Sequence, residues 1–437
     1  MIGSGSSVFF KAYGCRSQSY DSRLTTYDST EMITAWLRIH YAIGGRAAFP
    51  AMWQKYHDVQ ALCRAMETRA EETGLLKKLS PDRFFEYDAP KALATEQLCR
   101  QHGWQIIPYE SDYYPALLRQ IKNPPAVLFA RGDAELLKNP RKAAVVGARS
   151  AARNAADAAF LLGQALAASG VTAVSGGAAG IDSAAAFGAA SLHGAGAITV
   201  LGRGFSPAQD VGPTEEGVLF VTELFPGLSG RFFNFPNRNR LISGMSVGTA
   251  VMEAGGKSGA LITANDAMTQ GRPVFVPVSP RLASPGCAAL ANKGVGQMTA
   301  PRDLIGTLFP DLSDLPPVAD TPLDEAPTGR YEQALYGRPG RSRAWDEIPV
   351  PSPVPSPEPV RQPESVPAAQ THHAVSLPED LSEEAKAVAR AAADGPLYID
   401  EIILRCAIPA PKVQAAVTEL ELEDVITVLP GGKIQLQ

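Results

Sequence analysis

The sequence predicts a multidomain α/β chain centred on a doubly wound parallel sheet, and three observations carry that reading. Between residues 111 and 310 short apolar runs alternate with helix-length segments, the runs empty into loops of small residues, and composition changes on both flanks. The run at 143–146 leads into Gly147-Ala148-Arg149, an amphipathic segment follows at 155–168, and a second run at 171–174 ends in Ser175-Gly176-Gly177. That is a βαβ unit, and its loops lie beyond the carboxyl ends of the strands, where an open parallel sheet binds its ligand. Further strands are expected at 197–201, 218–223, 247–252 and 274–277.

The 437 residues exceed one ordinary domain. With 45% hydrophobic and 19% charged residues the chain can build cores without a membrane. Its apolar stretches fall short of the roughly 18 residues a span requires, and residues 1–7 lack a secretory layout, so a cytoplasmic protein is expected. Cys15, Cys63, Cys99, Cys287 and Cys406 are scattered without a C-x-x-C pair, which argues against a disulfide framework or a zinc site. The net charge of −5 is uneven: +2 over residues 1–140, +4 over 141–308 and −11 over 309–437. The acidity belongs to the tail, so the mildly basic middle is open to a phosphate partner.

In order along the chain, residues 1–30, rich in Ser, Tyr, Thr and Gly, read as a mobile extension. Residues 31–110 are helical: apolar spacing from Met32 to Tyr41, a Gly44-Gly45 break, then a helix over 48–65. Helix, glycine turn and helix can grip a backbone phosphate, although an ordinary helical hairpin is the commoner use of the pattern. Residues 104–107 and 126–130 are strands leading into the 111–310 domain, with Asn123-Pro124-Pro125 extending the chain before the second. Residues 311–376 read as a Pro-rich linker. At 377–437, helices over 382–392, 398–405 and 410–422 and strands over 425–429 and 433–436 read as a winged-helix module. Its candidate recognition helix sets Lys412 and Gln414 against Glu419, Glu421, Glu423 and Asp424, a balance that favours protein over DNA contact.

Gly147 and Arg149 after the first strand form a candidate anion site, and the loop Ser175-Gly176-Gly177 with Gly180 strengthens it. The dinucleotide fingerprint is absent, since the glycine order is G-G-x-x-G after the second strand. Asp182 supports that loop or caps the next helix rather than acting as a base. In residues 232–240, FFNFPNRNR, two readings stand: Phe235, Arg238, Asn239 and Arg240 stack on bases and grip phosphates, or the phenylalanines enter the core and the arginines pair with acids. Lys257-Ser258-Gly259 is a third anion candidate or a solvated turn. Glu223 and Glu253, both near strand ends, suit fixing the arginine segment by ion pairing. No Ser-His-Asp order, paired carboxylates or metal spacing stands out, so no catalytic residue, metal or cofactor is expected.

Together VVGAR, VSGGAAGID, VLGRG, TELFPG, FPNRNRLISGMS, VMEAGGKSGALITA, GRPVFV and GCAALANKG, from Tyr113 to Gly294, resemble the DNA-processing protein A (DprA/Smf) family. The resemblance implies a Rossmann-like sheet preceded by a small helical domain of the SAM or helix-hairpin-helix kind and followed by a winged helix. It implies a non-enzyme that binds single-stranded DNA as a homodimer through the Rossmann-like domain, protects strands in natural transformation and loads RecA recombinase. By motif match it places Arg149, Arg238, Asn239, Arg240, Lys257 and Ser258 along the strand-binding pocket with Ser175–Gly177 at its floor. Ala186 and Phe187 stand where the family usually has His and a basic residue, and Ala152, Asn154 and Ala155 depart after the first glycine loop, which thins the contacts expected on that side. A nucleotide-processing enzyme of the phosphoribohydrolase kind is the alternative, though Gly255–Ala260 has no Glu behind it.

Overall fold

The computed structural model describes residues 30–44, 49–68, 81–192, 195–210, 214, 217–230, 234–256, 258–331 and 381–392, and single positions or short runs from 397 to 436. The extension at 1–29, most of the 311–376 stretch, and Lys412 and Gln414 lie outside the described residues. The chain divides into two units, 1–352 and 353–437.

Unit one opens with helices α1 (Thr30–Ile43), α2 (Phe49–Tyr56), α3 (Val59–Thr68), α4 (Pro81–Glu86) and α5 (Ala89–His102). The single helix expected over 48–65 is two helices. His57 sits at φ +50°, outside the helical region, and the Asp58 carboxylate accepts from the Gln60 and Ala61 N–H groups to start α3. Then come β1 (Gln105–Pro108), α6 (Ala116–Arg119), β2 (Val127–Gly132), β3 (Lys142–Val146), α7 (Arg153–Ala168), β4 (Thr172–Ser175), α8 (Ile181–Ala190), β5 (Ala197–Val200) and β6 (Val218–Thr222). α9 (Asn234–Met245), β7 (Gly248–Val251), α10 (Gly259–Thr269), β8 (Val274–Pro277), α11 (Pro285–Ala291), β9 (Gly296–Met298) and α12 (Pro301–Leu308) complete the series.

The nine strands form one sheet in the order β1-β2-β6-β5-β4-β3-β7-β8-β9. The seven from β6 to β9 are parallel, and β1 and β2 extend one side antiparallel. Chain order runs outward from β3 through β4, β5 and β6, then returns to β7 on the other side of β3. The order therefore reverses between β3 and β7, the point at which doubly wound sheets open a crevice. β3, β4, β5, β7 and β8 are buried at every position, as strands covered on both faces must be. α7 and α8 cover one face, and α9, α10 and the helical domain cover the other. β9 is the strand the sequence does not announce; three residues are too few to show a pattern.

α7 and α8 pack at backbone distance because Gly163 and Gly188 lack side chains. A Cβ at Gly163 would run into the Ala185 carbonyl, and one at Gly188 into the Phe160 carbonyl. Over this layer lie residues 309–331, the start of the stretch expected to be linker. Leu312, Leu315, Val318, Ala319 and Leu323 pack onto it, and Asp157 of α7 accepts from the Gly329 and Tyr331 N–H groups at 2.9 and 3.2 Å. Proline-rich composition concealed this apolar spacing. Ala186 and Phe187 are buried in the same layer, and the Phe187 ring lies 6.3 Å from that of Tyr331.

In unit two, a helix at Glu383–Ala391, here α13, accompanies a three-stranded sheet ordered β10 (Leu397–Tyr398), β12 (Lys433–Leu436), β11 (Ile426–Val428). Tyr398 is strand, not the start of the helix expected at 398–405. Glu419 accepts from the Ser382 N–H and hydroxyl, both at 2.6 Å, so one carboxylate of the acidic helix is occupied within the module.

Gly188→Ala forces two helix backbones apart and is expected to cost about 1–3 kcal/mol in denaturant unfolding. Gly306→Ala, on the exposed side of α12 with nothing within 4 Å of the new Cβ, is expected to gain up to about 1 kcal/mol in the same measurement.

Candidate functional site

Asp182, near the start of α8, ties the loops after β3 and β4 together. One carboxylate oxygen accepts from the Gly147 N–H at 3.2 Å and the other from the Gly176 N–H at 2.9 Å. With the side chain 7% exposed, Asp182 supports the loops as the sequence indicates. The glycines serve the same closure. Gly180, at φ +80°, lets α8 begin against the Ala148 and Arg149 carbonyls, and a Cβ at Gly176 would meet the Asp182 carboxylate and the Arg238 guanidinium at 2.7 and 2.8 Å. Gly177 turns the chain at φ +73°. The Ser175 hydroxyl is buried below with no hydrogen-bond partner among the described residues.

The segment 235–240 is the first part of α9, and its successive side chains splay by about 100° each. They consequently reach three different places on the sheet edge. Arg238, 5% exposed, donates to the Gly176 carbonyl at 2.7 Å and to the Val200 carbonyl, at the ends of β4 and β5. The Asn239 carboxamide donates to the Gly259 carbonyl at the start of α10, at 3.3 Å. Arg240 forks onto both oxygens of Glu223, after β6, at 2.6 and 2.7 Å. Burial opposes its charge, but the Glu223 carboxylate outweighs burial and holds the guanidinium above its ordinary pKa. Glu223 thus pairs with the arginine segment as the sequence suggests. Glu253 instead accepts from the Ala152 N–H at 2.9 Å. Within the segment Arg238 and Arg240 are buried braces, while Phe235 stays partly open.

Arg149 differs from them. It is exposed, makes no hydrogen bond or ion pair among the described residues, and its guanidinium carbon lies 5.7 Å from the Phe235 ring centroid. Gly202 and Gly230 make room for that ring, since a Cβ on either would approach it to 2.6 or 3.1 Å. Ser258 caps α10, its hydroxyl accepting from the Ala260 N–H at 3.3 Å, and Gly259 is the first residue of that helix. Lys257 lies outside the described residues.

Behind α9, between its first turn and the helical domain, is a cavity of about 350 Å³. Its wall includes residues that sequence reading passed over: His40, Tyr41, Arg83, Asn123, Phe225 and Leu228. Far apart in the chain, they carry no shared motif. His40 is the hinge of this junction. Its Nδ1 accepts from the Val127 N–H at 3.3 Å, so its proton sits on Nε2 and is donated to the Glu223 carbonyl at 2.7 Å. Burial lowers its pKa below the ordinary 6.5.

The comparisons with known proteins agree with this architecture. Residues 105–308 match the family model for DNA recombination-mediator protein A, and residues 372–432 match that for the DprA winged helix domain. DNA processing protein DprA of Streptococcus pneumoniae is 38% identical over 51% of this chain and 79% of its own length. The chain belongs to the DNA recombination-mediator protein A family. Protein Smf of Escherichia coli is 29% identical over 84% of this chain and 86% of its own. A solved structure of DNA processing protein A from Helicobacter pylori, described for its single-stranded DNA binding mode, is 26% identical, with a TM-score of 0.42, over 48% of this chain and 97% of that one. In this member of the recombination-mediator family, the motif arginines divide into two that hold the scaffold and one that faces outward.

Two outcomes follow from the braces. Glu223→Ala strands a buried guanidinium and is expected to cost about 3–5 kcal/mol, with Glu223→Ala/Arg240→Ala costing less than the two single changes combined, in denaturant unfolding. Because His40 binds its proton less readily folded than unfolded, its contribution is complete above pH 6.5 and declines as pH falls toward the lower folded value. Thermal unfolding across pH 5 to 7 is expected to show that loss, and His40→Gln to flatten it.

Proposed function

We propose that the carboxyl edge of this sheet binds single-stranded DNA, with the sugar-phosphate backbone passing Arg149. The observation that carries the proposal is the unpaired, exposed Arg149 guanidinium seated on Phe235 beside the β3–β7 reversal. A guanidinium and an aromatic ring together suit a phosphate and its neighbouring base, and neither selects a sequence. The membership in a recombination-mediator family supports the wider role: a homodimer formed through the Rossmann-like domain that protects incoming strands in natural transformation and loads RecA onto them in the cytoplasm. The role is binding rather than bond-breaking. Asp182, Glu223 and Glu253, the carboxylates at this edge, hold N–H groups or a guanidinium, which leaves them poorly suited to act as general bases.

Fluorescence anisotropy with a labelled single strand, titrated over salt, tests the reading. Arg149→Ala is expected to weaken binding about tenfold and to lower the salt slope by roughly 0.7 for the lost phosphate contact, while leaving unfolding unchanged. Equal binding by wild type and variant at every salt concentration overturns the assignment.

A further inference from the structure

In the cavity behind α9 Glu223 is matched by Arg240 and Arg238 by two carbonyls, which leaves Arg83 as the lining cation without an ion pair among the described residues. The rest of its lining offers uncharged groups. The carboxamides of Asn123, Asn234 and Asn237 all border it, and none has a hydrogen-bond partner among the described residues. Phe225 and Leu228 supply apolar wall, and Leu228 is 49% exposed, a large apolar side chain left open at a cavity. Arg83 completes the wall with its guanidinium seated 4.8 Å from the Tyr41 ring centroid.

This combination is the chemistry of a nucleobase site. A base presents adjacent donors and acceptors along its edge, which a carboxamide matches with its own pair, and flat faces that pack on apolar groups or on a guanidinium plane. A volume of about 350 Å³ falls in the range of small-ligand pockets and holds a base with room for its sugar. Position joins it to the edge site: Asn234 and Asn237 share the first turn of α9 with Phe235, the ring beneath Arg149.

We propose that this cavity receives one unstacked base of the bound strand, its edge read by Asn123, Asn234 and Asn237 and its face covered by Leu228 and Arg83. The site makes the helical domain part of the binding surface. The inference rests on the single-stranded DNA reading above, but it can fail independently.

The test compares the affinity of the full chain for a short mixed-sequence single strand and for an abasic strand of the same length, by anisotropy at fixed salt. Wild type is expected to prefer the base-bearing strand about tenfold. Asn123→Ala removes an unpartnered carboxamide, and Leu228→Trp fills the cavity from an exposed position. Both are expected to bring that preference down several-fold while leaving affinity for the abasic strand unchanged. If the preference is the same in wild type and both variants, the base site is overturned and the backbone site stands. If wild type binds neither strand, both readings are overturned.

Discussion

One turn of buried helix holds this domain's working edge together. Arg238, Asn239 and Arg240 follow one another in α9, so helical geometry points them at three separate strand ends. Between them they fasten β4 and β5, the start of α10, and β6. The two arginines place a charged donor on buried carbonyls and on a largely buried carboxylate, which makes losing either one costly. Because the loops after β3 and β4 are tied through Asp182 and Gly176 to that same turn, the whole edge is set by α9.

That bracing explains a division of labour among like residues. A guanidinium with carbonyl or carboxylate partners in the interior stabilises the fold and is shielded from a ligand. An exposed guanidinium with only a ring beneath it keeps its donors for one. Arg203 belongs with the braces, since it donates to Asp210 at 2.6 and 3.1 Å. Arg149 stands apart because the small residues before it, closed down by Gly180, leave its side chain on the rim.

The helical domain enters the site through His40. Its two nitrogens join the β2 N–H of Val127 to the carbonyl of Glu223, whose side chain holds Arg240. A connection therefore runs from α1 through Glu223 to α9, and the cavity lies along it. On the opposite face of the sheet, residues 309–331 close the α7–α8 layer, which places Ala186 and Phe187 in the interior. A histidine and a basic residue at those positions would have to be buried, so the two departures from the family pattern suit the packing of this layer.

The sequence by itself determined the doubly wound sheet, because parallel strands buried on both faces must be continuous apolar runs and their loops must be small. It also determined which short segments meet at the carboxyl edge of the sheet, and the family to which they belong. It did not determine what each residue in them does. Arg149, Arg238 and Arg240 are chemically alike, and only burial and partners, which depend on strand ends up to 62 residues away in the chain, separate the braces from the exposed cation. His40, Arg83 and Asn123 could not be read as neighbours of α9, since each sits in an unremarkable local context and the packing of two layers alone brings them together. The strap at 309–331 was hidden for the opposite reason: its local composition spoke for disorder, and only the apolar surface of α7 and α8 beneath it gives its few leucines something to cover.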